Sequence, residues 1–172
     1  MKFKKLANNT INFGINRVIE ILAIGILITG ILLLISLISF SPDDPNFIFP
    51  DNVIIKNILG FRGSFAADIF YQSFGIISLL IPFSIIICGI NIILNKKIFL
   101  IIGSIFYIIL YTIFGSLFFS IFYPNIFELY INGNGGFVGK YLETIFLHSI
   151  INFNSQIFYY FLIFLIFVFF FN

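Results

Sequence analysis

The sequence predicts an all-α, polytopic membrane bundle of four transmembrane helices plus one interfacial or re-entrant amphipathic segment. Three observations carry that prediction. The 172-residue chain is 60% hydrophobic and only 9% charged, whereas soluble domains carry roughly 25% charged residues. Nine basic and seven acidic side chains could not coat a water-soluble domain of this size, so a soluble enzyme is excluded, and so is a disordered chain. Four stretches, Ile21–Phe40, Ile69–Asn95, Ile98–Phe127 and Thr144–Asn172, contain no charge, and about 20 apolar residues suffice to cross a hydrocarbon core. The net charge of +2 is too weak for a nucleic-acid-binding surface. The single cysteine, Cys88, excludes an intrachain disulfide and a cysteine-based metal cluster.

Residues 1–18 form a basic N-terminus carrying Lys2, Lys4, Lys5 and Arg17. The first span covers about 19–40. Its 20-residue apolar run exceeds the 7–15 residues of a signal-peptide core, so it reads as an anchor. Loop 41–68 follows. Ser41-Pro42-Asp43-Asp44 begins like a helix cap, but Pro45 turns the chain extended. Asn57, Gly60, Gly63, Ser64, Ala66 and Ala67 then place small residues at three- and four-residue spacing, which lets backbones approach closely in lipid. Asp68 falls in the first turns of the next helix, where the dipole favours an anion, with Arg62 or Lys56 as partner.

The second span covers 69–94, and Pro82 within it predicts a kink. The third covers 98–123 and is closed by Pro124 and Asn125. Loop 124–152 contains Asn132-Gly133-Asn134-Gly135-Gly136. From Phe137 to Ile151 the polar residues Lys140, Glu143, Thr144 and His148 share one helical stripe. That pattern suits a helix at the interface or a re-entrant segment buried by its neighbours. The fourth span covers 153–172, of which only Ile157–Phe171 is continuously apolar. About 22 Å of helix falls short of a ~30 Å core, which raises the expectation that the natural chain continues past Asn172.

Lys and Arg favour the cytoplasmic side. Six of them (the four N-terminal ones, Lys96 and Lys97) lie on the N-terminal side of the bundle, against Lys56, Arg62 and Lys140 on the other. The expected topology therefore has both termini in the cytoplasm, in a multi-pass protein of the bacterial inner membrane.

No catalytic, cofactor or metal site is expected. The glycine loop misses the phosphate-binding pattern G-x-x-x-x-G-K-[ST]: Asn134 stands at the first glycine and Tyr141 at the hydroxyl position. His148 is the only histidine and has no clustered carboxylates for a metal. Cys88 reads as a small core residue. The deep parts of the spans hold no acid or base, which argues against a proton-coupled transporter.

Ser41, Asp44-Pro45, Asn57, Gly60, Gly63, Ala67 and Asp68, then Phe74-Gly75 and Pro82, then Gly135-Gly136-x-x-Gly139-x-x-Leu142, follow one another in a recognisable order. With them, residues 15–172 resemble the N-terminal four-span membrane domain of the FtsK/SpoIIIE family of bacterial DNA translocases. Ser64 departs mildly from it, standing where the family usually has Ala. The resemblance implies a membrane anchor and assembly domain acting in cell division and chromosome segregation at the septum. Its implied partners are membrane lipid and divisome proteins. Homo-oligomerisation would run through a motor absent from this chain, whose 172 residues show no Walker motif, no ATPase activity to assign and no direct nucleic-acid contact. The rival reading is a small stand-alone polytopic protein such as a permease subunit or channel.

Overall fold

A computed structural model describes residues 2–44, 54–124, 132–150 and 155–172, without the side chains of 2–9, 146–150 and 155. Every regular element among them is helical. In order they are α1 (Lys2–Ile38), α2 (Gly60–Phe74), a 3-10 turn (Gly75–Leu79), α3 (Leu80–Asn95), α4 (Leu100–Phe122), α5 (Gly136–Ile150) and α6 (Ser155–Phe170). The stretches Thr10–Ile38, Gly60–Asn95 and Leu100–Phe122 are long and apolar enough to cross a membrane, and Gln156–Phe170 is a shorter apolar helix. This is a membrane helical bundle. Large apolar side chains such as Ile21, Ile28, Phe106 and Phe164 face outward, as they must where lipid is the solvent.

The N-terminal segment and the first span are one helix, α1, with no break at residue 18. It runs antiparallel to α3, and glycines set the approach. A Cβ on Gly30 would lie 2.8 Å from Ile86, and one on Gly89 would lie 3.0 Å from Leu27. Ala23, Cys88 and Ile92 are buried at this contact, so Cys88 is the core residue its apolar surroundings require. At one end of the pair Glu20 takes both Arg17 and Lys96 into ion pairs. Lys96 closes α3 in the left-handed conformation (φ 55°).

The second span does not bend at Pro82. The helix is interrupted one turn earlier, at Gly75–Leu79, and Pro82 occupies the first turn of α3. A proline there removes only an N–H that has no intrahelical partner, so it starts the helix without kinking it. Helix begins at Gly60, within the expected loop 41–68 and nine residues before the expected boundary of the second span. Ser36 of α1 bonds the carbonyl of Gly63, while its neighbour Leu37 accepts a bond from the Tyr71 hydroxyl at 3.0 Å. Two adjacent residues on α1 thus meet residues eight apart on α2, about 12 Å of helix. Helix α2 packs on the C-terminal part of α1 through these bonds, while α3 runs alongside α1 from Ala23 to Gly30.

The core lies where these elements meet. Leu33 and Leu37 of α1, Ala67 and Tyr71 of α2, Ile77 of the 3-10 turn, Ile81 of α3 and Tyr111 of α4 form one buried cluster. Helix α6 packs antiparallel on α4 through aromatic pairs. Tyr159 meets Phe118 and Phe122, and Phe169 stacks on Phe114. The hydroxyls of Tyr123 and Tyr159 share a hydrogen bond of 2.9 Å at one end of this pair.

Candidate functional site

Two polar knots hold the loop-bearing end of the bundle, and most residues singled out in the sequence lie in one or the other. The first ties the loop after α1 to α1 and α2. Ser41 closes a turn, its carbonyl accepting the Asp44 N–H at 3.1 Å. The Asp44 carboxylate reaches across the loop and accepts the backbone N–H groups of Lys56 and Asn57, both at 2.8 Å. Asp44 is 2% exposed, and a buried carboxylate is tolerable only with such donors.

Asn57 continues the chain of bonds. Its Nδ2 donates to the Ser36 carbonyl at 2.9 Å and its Oδ1 accepts the Leu59 N–H at 3.1 Å. Gly63 is the residue that lets Asn57 sit there: a Cβ at 63 would stand 2.2 Å from Asn57 Oδ1. Gly60 has a different role. Nothing lies within 4 Å of a Cβ built on it, but its φ is +65°, the left-handed region glycine enters freely. The close-packing role expected of Gly60 is therefore replaced by a conformational one.

Asp68 does not serve the helix start. It is buried in the third turn of α2, beyond the first turn where the dipole acts. Lys56, one of its expected partners, pairs with Asp43 at 2.8 Å instead. That ammonium holds the Asp43 carboxyl below its ordinary range, first by its hydrogen bond and then by its charge, and Asp43 raises Lys56 in return. Pro45 lies outside the described residues.

The second knot joins the end of α2, the last turns of α4 and the start of α5. The Ile76 N–H donates to the Asn134 carbonyl at 3.0 Å, and a Cβ on Gly75 (φ +70°) would lie 1.9 Å from that same oxygen. The Ser116 hydroxyl donates to the Phe74 carbonyl at 2.9 Å. Gly135 and Gly139 both press on the Ser116 carbonyl, with added Cβ atoms at 2.4 Å and 2.2 Å. The Asn134 side chain donates to the Tyr123 carbonyl, and the Ser120 hydroxyl donates to the Glu143 carboxylate. Leu142 packs into the aromatic cluster around Phe118 and Leu162.

Of the polar stripe on α5, Glu143 meets α4, while Lys140 and Thr144 are exposed. The outward face of α5 carries Phe137, Tyr141 and Ile145, which are 61%, 58% and 49% exposed. The segment is docked on its neighbours rather than free on a surface. His148 lies on α5, and its side chain is outside the described set.

Sequence reasoning missed Ser36, Ser116 and Ser120, because serine in an apolar run gives no sign of which group it will meet. Gly30, Gly89 and Gly115 were detectable as glycines within spans. Among the described residues no three metal-ligating side chains come together. The knots join helices through bonds among their own groups, although the buried Asn134 Oδ1 accepts none.

The family model described as the 4TM region of DNA translocase FtsK/SpoIIIE matches residues 16–172. The DNA translocase FtsK of Rickettsia prowazekii (strain Madrid E) is 33% identical over 82 residues, covering 46% of this chain and 11% of the relative. That of Rickettsia bellii (strain RML369-C) is 34% identical over 76 residues, covering 44% and 10%. That of Rickettsia typhi (strain ATCC VR-144 / Wilmington) is 34% identical over 64 residues, covering 37% and 9%. The matches span about a tenth of the length of these relatives. No solved structure matches the chain. A helical membrane bundle whose match to that model takes in both polar knots belongs to the 4TM-region family of the FtsK/SpoIIIE DNA translocases.

Proposed function

We propose that this chain, the membrane domain of an FtsK-like translocase, works as an anchor and assembly platform at the division septum, in cell division and chromosome segregation. The observation that carries the proposal is the family match over residues 16–172, on a fold whose polar residues are used to lock helices together. DNA translocation is the activity named for the relatives, and no ATPase step is assigned to residues 1–172. The proposed partners are other divisome proteins and, through a motor domain, further copies of the same protein. No observation favours the stand-alone permease or channel.

In this reading the protein is a multi-pass protein of the bacterial inner membrane with both termini cytoplasmic, supported by the excess of Lys and Arg on the N-terminal side. Cysteine labelling in a Cys88→Ser background tests the orientation. A membrane-impermeant reagent should label exposed Lys140→Cys in intact cells and spare exposed Lys97→Cys. The reverse would remove the cytoplasmic motor attachment. Function is tested by a fluorescent fusion of the chain, which should form a band at division sites dependent on earlier divisome proteins. A fusion that inserts with the stated topology yet spreads evenly over the membrane would overturn the septal role.

A further inference from the structure

The packing of α2 against α1 leaves a groove of about 410 Å³ between them. Its walls are apolar: Leu32 and Leu33 on one side, Leu59 and Ala66 on the other, with Thr29 toward its deeper end. Arg62 lines the same groove and is exposed. Its position in the first turn of α2 puts it at the loop-bearing end of the bundle, where membrane meets water.

The neighbouring charges are already committed. Asp44 is filled by two backbone N–H groups, and Asp43 is paired with Lys56. Arg62 takes no part in the ion pairs Arg17–Glu20, Lys56–Asp43 and Lys96–Glu20. A guanidinium matches phosphate oxygens in a two-pronged geometry. An apolar trough leading from such a cation into the membrane accepts an acyl chain by the ordinary gain from covering apolar surface.

From this charge complementarity we infer that the α1–α2 groove is a binding site for one anionic phospholipid, its phosphate on Arg62 and one acyl chain along Leu32, Leu33 and Ala66. This goes beyond the anchor reading, since it concerns a lipid held individually and not the bilayer at large. The contrasting groove beside α6 is lined by Ile77, Phe118, Phe119, Ile163 and Phe167, among others, with no charge at its mouth. It selects no headgroup.

The test is native mass spectrometry of the purified 172-residue chain in detergent, titrated separately with phosphatidylglycerol and phosphatidylcholine. One phosphatidylglycerol should be retained per chain, at least fivefold in preference to phosphatidylcholine. Arg62→Gln should abolish the preference, and Lys140→Gln, which removes another exposed cation, should leave it intact. A phosphatidylglycerol carrying a photoreactive group in its acyl chain should crosslink to peptides containing Leu32, Leu33 or Ala66, and Ala66→Phe should suppress that crosslink. Equal retention of the two lipids, or a preference surviving Arg62→Gln, overturns the inference. So does crosslinking confined to the α4–α6 groove, or a chain dimer in place of the lipid adduct. If Ala66→Phe does not fold, the Arg62 and Lys140 comparison and the wild-type crosslink map still decide the matter.

Discussion

Gly63 and Asn57 touch so closely that a Cβ on the glycine would stand 2.2 Å from the asparagine Oδ1, with the Leu59 Cβ also only 2.5 Å away. Asn57 cannot yield, since its two side-chain atoms bond the Ser36 carbonyl and the Leu59 N–H. Gly63→Leu is therefore expected to destabilise the domain by about 1–3 kcal/mol, the usual overpacking range. The readout is thermal unfolding in detergent. An unchanged midpoint would mean that this contact does not hold α2 to the loop.

Gly60 separates strain from packing three residues away. Its φ of +65° sits in open space, so Gly60→Ala should cost about 1–2 kcal/mol through backbone conformation alone. Gly60→Asn should recover part of that loss, because asparagine tolerates the left-handed region. Gly63→Asn should recover nothing relative to Gly63→Ala, because the obstacle there is atoms. Equal responses at both sites would contradict the assignment.

Asp44 bonds two backbone N–H groups while almost fully buried. Asp44→Ala strands both donors, at about 1–3 kcal/mol for each group left without a partner. Asp44→Asn keeps one acceptor oxygen and should fall between alanine and wild type. Hydrogen exchange at the Lys56 and Asn57 amides reads the effect locally: both should exchange faster in Asp44→Ala, and one of the two in Asp44→Asn.

The Asp43–Lys56 pair gives a pH dependence with a definite sign. The Asp43 carboxyl is lowered by the Lys56 hydrogen bond and charge, so its contribution is present above the ordinary carboxylate range and is lost as pH falls through the lowered value. Lys56 is raised by the same contact, so its contribution is present below the ordinary lysine range and is lost as pH rises through the raised value. Both side chains are exposed, and exposed pairs contribute little. A small wild-type advantage over Lys56→Met in thermal midpoint should be flat near neutrality and vanish in strong acid. An advantage that grew with acid would assign the pair the wrong sign.

The fold class and the third span were legible because lipid imposes long uncharged runs, and Ile98–Phe127 contains α4 whole. The break between α2 and α3 was not legible. Ile69–Asn95 is uncharged throughout, and hydropathy records whether a residue avoids water, not the direction in which its helix runs. Pro82 misled for a related reason: proline signals a helix start as readily as a kink, and only Gly75, bonded through its neighbour to Asn134, decides between them. At the candidate site the glycines were detectable, since the chain must tolerate losing a side chain there. Their partners Ser36 and Ser116 were not, because what they meet are backbone carbonyls 27 and 42 residues away in sequence.

Gly115 and Gly139 turn that distinction between side-chain and backbone neighbours into a rescue experiment. A Cβ on Gly115 would meet Ile77 Cγ1 at 2.3 Å and Cδ1 at 2.5 Å, whereas one on Gly139 would meet the Ser116 carbonyl oxygen at 2.2 Å. Each Gly→Ala change alone should lower stability by about 1–3 kcal/mol. Ile77→Ala removes both atoms that block position 115, at its own cost of about 2–5 kcal/mol for a truncated core residue. In the double variant Gly115→Ala/Ile77→Ala the new methyl occupies part of the space Ile77 vacates. The combined loss should therefore be smaller than the sum of the two single losses by on the order of 1 kcal/mol, a coupling within the range for residues in contact. Gly139→Ala combined with Ser116→Ala should show no such relief, because the blocking oxygen belongs to the backbone and survives the change. It loses in addition the Ser116 bond to the Phe74 carbonyl. Strict additivity at 115 and 77, or clear relief at 139 and 116, would mean that α4 does not meet the 3-10 turn and α5 as these glycines require.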